Sequence, residues 1–64
     1  MTPAAIRTAR EAAGLTQAAL ARLCGVDQPD VSKWERGEQP PSRTAVAMLE
    51  AVLLHGYRPP VSDG

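Results

Sequence analysis

LTQAALARLCGVDQPDVSKWERG, Leu15 to Gly37, is the stretch that decides how this chain folds. Thr16 can cap a helix that runs through about Leu23, with Leu20, Leu23 and small alanines supplying its buried side. Gly25 then allows a sharp turn, and Val26 can plug the corner. Asp27 is a strong N-cap residue, with Asp30 three positions on as a variant of the capping box. A further helix should therefore run from Gln28 to about Arg36 and stop at Gly37. The same stretch poses a difficulty of charge. From Asp27 to Glu38 it carries four acidic side chains (Asp27, Asp30, Glu35, Glu38) against two basic ones (Lys33, Arg36).

Outward from this unit, the flanks also read as helices. On the N-terminal side Thr2 is a cap, Pro3 suits a first helical turn and Gly14 suits the residue past the end, which frames a helix from about Pro3 to Ala13. Ile6, Ala9 and Ala13 recur at helical spacing and form its inward stripe. On the C-terminal side EQPPS is a loop, since paired prolines cannot continue a helix, and Ser42 can start the next, from roughly Arg43 to His55. That helix is apolar on two sides. Ala45, Met48, Leu49 and Val52 form one stripe, while Val46, Leu53, Leu54 and Tyr57 fall on another. One small core can hide only one of them, so the second is a candidate dimer interface; the plainer reading is a set of exposed hydrophobes near the chain end. Gly56 fits a stop, and RPPVSDG reads as a frayed tail. No repeat and no strand pattern appears.

The expected fold is therefore all-α, a compact domain of four or five helices over residues 1–56, with the helix-turn-helix proper at 16–36 and a flexible tail at 57–64. At 64 residues the core is marginal unless helices pack well or a second copy completes it. Cys24, the one cysteine, can form no internal disulfide, and without clustered His or Cys no metal site is expected. It reads as a small core residue, and His55 as a surface residue at a helix end. With no base beside Cys24 and no paired carboxylates left uncommitted, no catalytic residue, cofactor or small-molecule ligand is expected. No apolar run approaches the roughly 18 residues of a membrane span, and no signal segment is visible, which points to a cytoplasmic protein. Formal net charge is zero, so any affinity for a polyanion must rest on where the charges sit.

Helix, glycine turn, helix is the arrangement in which the second helix enters the major groove of DNA while the first braces it across the backbone. The run from GLTQ to WERG, with Ile6, Arg10, Leu20, Ala21, Gly25, Val26, Val31, Ser32, Pro41 and Leu49, resembles the helix-turn-helix of the lambdoid phage repressor and Cro proteins, the XRE family. The resemblance covers about residues 4 to 54. It implies a lambda-repressor-like fold and a double-stranded DNA-binding transcriptional regulator, a repressor acting as a homodimer on a palindromic operator, as in phages, mobile elements and small autoregulated operons.

Within that resemblance Val31 and Trp34, three apart, face the core, and the opposite face offers Gln28, Pro29, Ser32 and Lys33 for base readout. Gln28 can take the N6 and N7 edge of adenine, Lys33 can reach guanine O6 and N7, and Pro29 suits a thymine methyl. The plainer reading of Gln28 and Pro29 is an ordinary first helical turn. Gln17, Arg7, Arg36 and Arg43 are the backbone-contact candidates, with Gln17 also able to bridge to Gln28 as in similar family members. Arg10 and Glu35 match the family's structural ion pair, which would withdraw Glu35 from the DNA face. Asp27 and Asp30 are expected to have their charge answered by capping at the positive end of their helix, leaving Glu38 without a partner. Asp27 departs from the uncharged Ser or Thr commoner at that position. A protein-binding helix-turn-helix module, or an antitoxin-like regulator with a protein partner, is the alternative; the polar face of Gln28, Ser32 and Lys33 argues against it.

Overall fold

The computed structural model describes residues 1–58. Four α-helices follow one another there without a strand: α1 (Pro3–Ala12), α2 (Gln17–Cys24), α3 (Gln28–Arg36) and α4 (Arg43–Leu54). No fifth helix is present among the described residues, and the expected flexible tail is described only through Arg58, its remaining residues 59–64 lying outside.

Each helix begins where a short polar side chain can accept a free backbone N–H. Thr2 Oγ1 accepts from the Ala5 N–H at 3.1 Å, Thr16 Oγ1 from Ala19 at 3.0 Å and Ser42 Oγ from Ala45 at 3.1 Å. Such caps stabilise a helix by about 1 kcal/mol each. The start of α3 is built differently. Asp27 holds the N-cap position and pairs with Asp30 three residues on in a capping box, the variant expected from the sequence. Asp30 Oδ2 reaches back to the Asp27 N–H at 3.4 Å, and the Asp30 N–H also donates to the Asp27 carbonyl at 3.0 Å.

The turn between α2 and α3 depends on Gly25, at φ 73°, a left-handed conformation that costs a residue with a Cβ roughly 1–2 kcal/mol. There the Val26 N–H reaches the Ala21 carbonyl at 2.9 Å and the Gly25 N–H the Arg22 carbonyl at 3.3 Å, closing the end of α2 in two bonds. Val26 is half-buried against the core, as the corner requires.

The helices share one core. Ile6 from α1, Leu20, Ala21 and Cys24 from α2, Val31 and Trp34 from α3, and Ala45, Leu49 and Val52 from α4 are all buried. Trp34 is only 5% exposed, so α3 is held by one large ring and one β-branched residue on its inner face. Two details of packing differ from expectation. Ala13 is exposed: α1 ends at Ala12, and Ala13, as its cap, turns out of the helical stripe that buries Ile6. The second apolar stripe of α4 is divided, because Leu53 packs partly against the core and Val46 is half-buried, whereas Leu54 and Tyr57 stand 61% and 46% exposed. α4 stops at Leu54 with His55 as its cap, and the chain beyond is tied back. The Tyr57 N–H donates to the Ala51 carbonyl at 2.8 Å, and Arg58 Nη1 to the carbonyls of Val52 and Tyr57 at 3.3 and 3.0 Å.

Candidate nucleic-acid interface

Burying Val31 and Trp34 fixes which side of α3 faces outward. Gln28 and Pro29, in its first turn, are exposed, Ser32 and Lys33 are half-buried, and Arg36 is exposed at its end. This is the polar face expected from the sequence, and it contains no large apolar side chain. The first turn of α2 lies beside it, as the Gln17–Gln28 contact shows: Gln28 Nε2 donates to Gln17 Oε1 at 2.8 Å.

Behind this face runs a line of polar contacts into the protein. Gln17 Nε2 donates to Glu35 Oε1 at 3.2 Å. Glu35 in turn receives a two-bond fork from Arg10, Nε to Oε2 at 2.6 Å and Nη2 to Oε1 at 3.0 Å, while Arg10 Nη1 donates to the Leu15 carbonyl at 2.8 Å. The side chains of Arg10 and Glu35 are 12% and 4% exposed. Burial alone would push the Glu35 carboxyl up. The hydrogen bonds from Arg10 and Gln17, with the positive charges of Arg10 and Arg7, outweigh it and hold the group below the ordinary carboxylate range. The pair ties α1 to α3 and keeps the Glu35 charge off the outer face. Residue types and spacing signal neither the link from Gln17 to Glu35 nor that from Arg10 to Leu15. The first depends on α2 and α3 converging, and the second on the chain turning back over the end of α1.

The cations divide into two groups. Arg7 lies 3.7 Å from Glu11 one helical turn on, and both are well exposed. Arg36 pairs with Glu38 across the turn at Gly37, which corrects the expectation that Glu38 lacks a partner. Exposed pairs of this kind contribute little to stability, so an incoming phosphate can displace either glutamate at small cost. Lys33 and Arg43 make no ion pair among the described residues. Arg43 occupies the first position of α4, where the helix dipole disfavours a cation, so an external anion suits it better than water alone. On the acidic side Asp27 is exposed beside Gln28 and Pro29 and makes no ion pair among the described residues.

Cys24 is buried, with its thiol pushed up by desolvation, and behaves as a small apolar core residue. The described residues contain no cluster of His, Cys, Asp and Glu that could hold a metal ion, and no helix long and apolar enough to cross a membrane.

Two helices joined by a left-handed glycine, the second anchored by its inner face and polar on its outer one, define a small helix-turn-helix protein, the architecture of DNA-binding regulators. A family model described as "Helix-turn-helix domain" matches residues 4–54, most of the chain, and the protein belongs to that family. No curated protein and no solved structure matches it.

Proposed function

We propose that this protein is a sequence-specific double-stranded DNA-binding transcriptional regulator of the XRE type, without enzymatic activity. In this reading it is an autoregulating repressor that binds as a homodimer to a partly palindromic operator and occludes the promoter. The observation that carries the reading is the Gln28–Gln17 contact on the outer face of α3, which holds an amide where a base edge would lie. Gln28, Pro29, Ser32 and Lys33 read bases; Gln17, Arg7, Arg36 and Arg43 fix register on phosphates. With few phosphate contacts per subunit and two of the arginines already paired to glutamates, a monomer binds weakly. Useful affinity needs two half-sites about one helical turn apart. The exposed Leu54 and Tyr57 support the second copy, because both are large apolar side chains left uncovered at and just beyond the end of α4.

The test is fluorescence anisotropy against duplex DNA from immediately upstream of the protein's own gene, beside a shuffled duplex of equal composition, across a salt series. Tight binding to the native duplex alone, at two protomers per site, is the expected result. Equal and weak binding to both, vanishing by physiological salt, would refute the repressor reading and favour a protein partner.

A further inference from the structure

We infer that Glu35, which touches no base, sets the base preference of Gln28 by fixing the direction of two amides in series. This rests on the reading of α3 as the base-reading helix, and it assigns a positioning role to a residue otherwise accounted for by the ion pair.

An ionised carboxylate only accepts hydrogen bonds. Glu35 Oε1 therefore requires the nitrogen end of the Gln17 amide, and the 3.2 Å contact from Gln17 Nε2 meets that requirement. With one N–H of Gln17 held inward by Glu35, the Gln17 oxygen faces Gln28, and Gln28 donates its own nitrogen to it at 2.8 Å. One N–H of Gln28 is then occupied. What remains is one acceptor, Oε1, and one N–H donor. Adenine offers the complement in the major groove, an N6 donor beside an N7 acceptor. Guanine offers two acceptors, O6 and N7, and would set its O6 against the Gln28 oxygen. If the Gln17 amide were reversed, Gln28 would turn its oxygen inward and face the groove with both N–H groups, which suits guanine. The amide direction follows from the chemistry of the acceptor at the inner end of the chain, and Arg10 maintains that chemistry by holding the carboxylate in its ionised form with two hydrogen bonds.

The experiment is selection from a random duplex pool followed by titration of the selected site and its single A·T to G·C variants. Wild type should yield one adenine per half-site whose preference disappears in Gln28→Ala, with adenine favoured over guanine there by roughly ten-fold or more. In Glu35→Gln the inner group can also donate, so the Gln17 amide can reverse and that ratio should fall several-fold at this position alone. Because Glu35→Gln strips the Arg10 pair of its charge and can unfold the chain, Gln17→Leu is the second variant. It leaves Arg10–Glu35 intact, frees the Gln28 amide and should relax the same single position. Moving the carboxylate outward in the double variant Gln17→Glu/Glu35→Gln restores an acceptor-only group beside Gln28 and should restore the adenine preference. A purely structural role for Glu35 lowers affinity at all sites in proportion and leaves the ratio alone. Unchanged adenine preference in Gln17→Leu, or a uniform loss across all positions in the folded variants, overturns the proposal. Wild type that enriches no sequence refutes the DNA-reading function itself, and the inference falls with it.

Discussion

Removing Arg10 tests whether the chain is held together by the enclosed Arg10–Glu35 ion pair. In Arg10→Met the Glu35 carboxylate, 4% exposed, keeps only the Gln17 amide, and the Leu15 carbonyl loses its donor. Breaking a buried pair from one side costs roughly 3 to 5 kcal/mol, and the 12% exposure of Arg10 places this case toward the lower end. A chain of 64 residues has a total stability of only about 3 to 10 kcal/mol, so the variant should lie at or near the edge of folding at neutral pH. Trp34, buried on α3 and the one tryptophan, reports this directly by fluorescence in urea. With an m-value of about 1 kcal/mol per molar, the midpoint should fall by roughly 3 M. The pH response should also change sign. In wild type the Glu35 carboxyl is held below its ordinary value, so its stabilisation is present above the usual carboxylate pKa and is lost as pH falls below about 4.3. In Arg10→Met burial of Glu35 goes largely unopposed, its folded pKa rises above the unfolded one, and acidification through that raised pKa should recover stability. The double variant Arg10→Met/Glu35→Leu removes both charges and should return to within about 1 kcal/mol of wild type. The reasoning is refuted if Arg10→Met shifts the midpoint no more than Arg7→Met, whose exposed pair with Glu11 provides the control.

Three other outcomes are expected. Gln28→Ala should lose discrimination between its preferred and substituted sites by roughly 1 to 3 kcal/mol while Arg43→Ala weakens every duplex alike, as measured by anisotropy on matched duplexes; a change of preference in Arg43→Ala would make that residue a minor-groove reader. Replacing Leu54 and Tyr57, the exposed members of the second α4 stripe, by serine should leave the unfolding free energy of the monomer within about 0.5 kcal/mol of wild type yet halve the sedimentation mass, and an unchanged mass would remove these residues as the dimer interface. Glu38→Gln releases Arg36, so nonspecific affinity should rise and the slope of log K against log salt should steepen by up to about 1; an unaltered slope would mean Arg36 does not meet phosphate.

The boundaries of the helices were legible because they are set locally. Thr2, Thr16, Asp27 and Ser42 stand at the four N-caps, and the glycines expected at helix ends have positive φ. The buried side of α3 was legible for the same reason, since Val31 and Trp34 are one turn apart. Side-chain commitments were less visible. The Arg7–Glu11 pair at i,i+4 could have been read from spacing alone. Arg36 with Glu38 could not, because the two meet only after Gly37 reverses the chain. The Gln17–Glu35 bond depends on how the fold sets α2 against α3, the two residues lying eighteen apart in sequence. The sequence also separates the α4 stripes more cleanly than the fold does: helical spacing puts Leu53 beside Leu54, yet the former leans on the core.

The line of contacts from Arg10 to Gln28 divides the outward side chains of α3 by how freely they can be exchanged. Pro29, Ser32 and Lys33 make no side-chain hydrogen bond to the frame among the described residues, so substitutions at these positions need not disturb what holds the helices together. Gln28 has no such liberty. A substitution there leaves Gln17 without its outer partner, and a compensating change at Glu35 reaches back to Arg10. On the proposed reading of α3, descendants of this chain can drift readily in most of the letters they recognise, while the letter under Gln28 stays coupled to Gln17 and, through it, to Glu35.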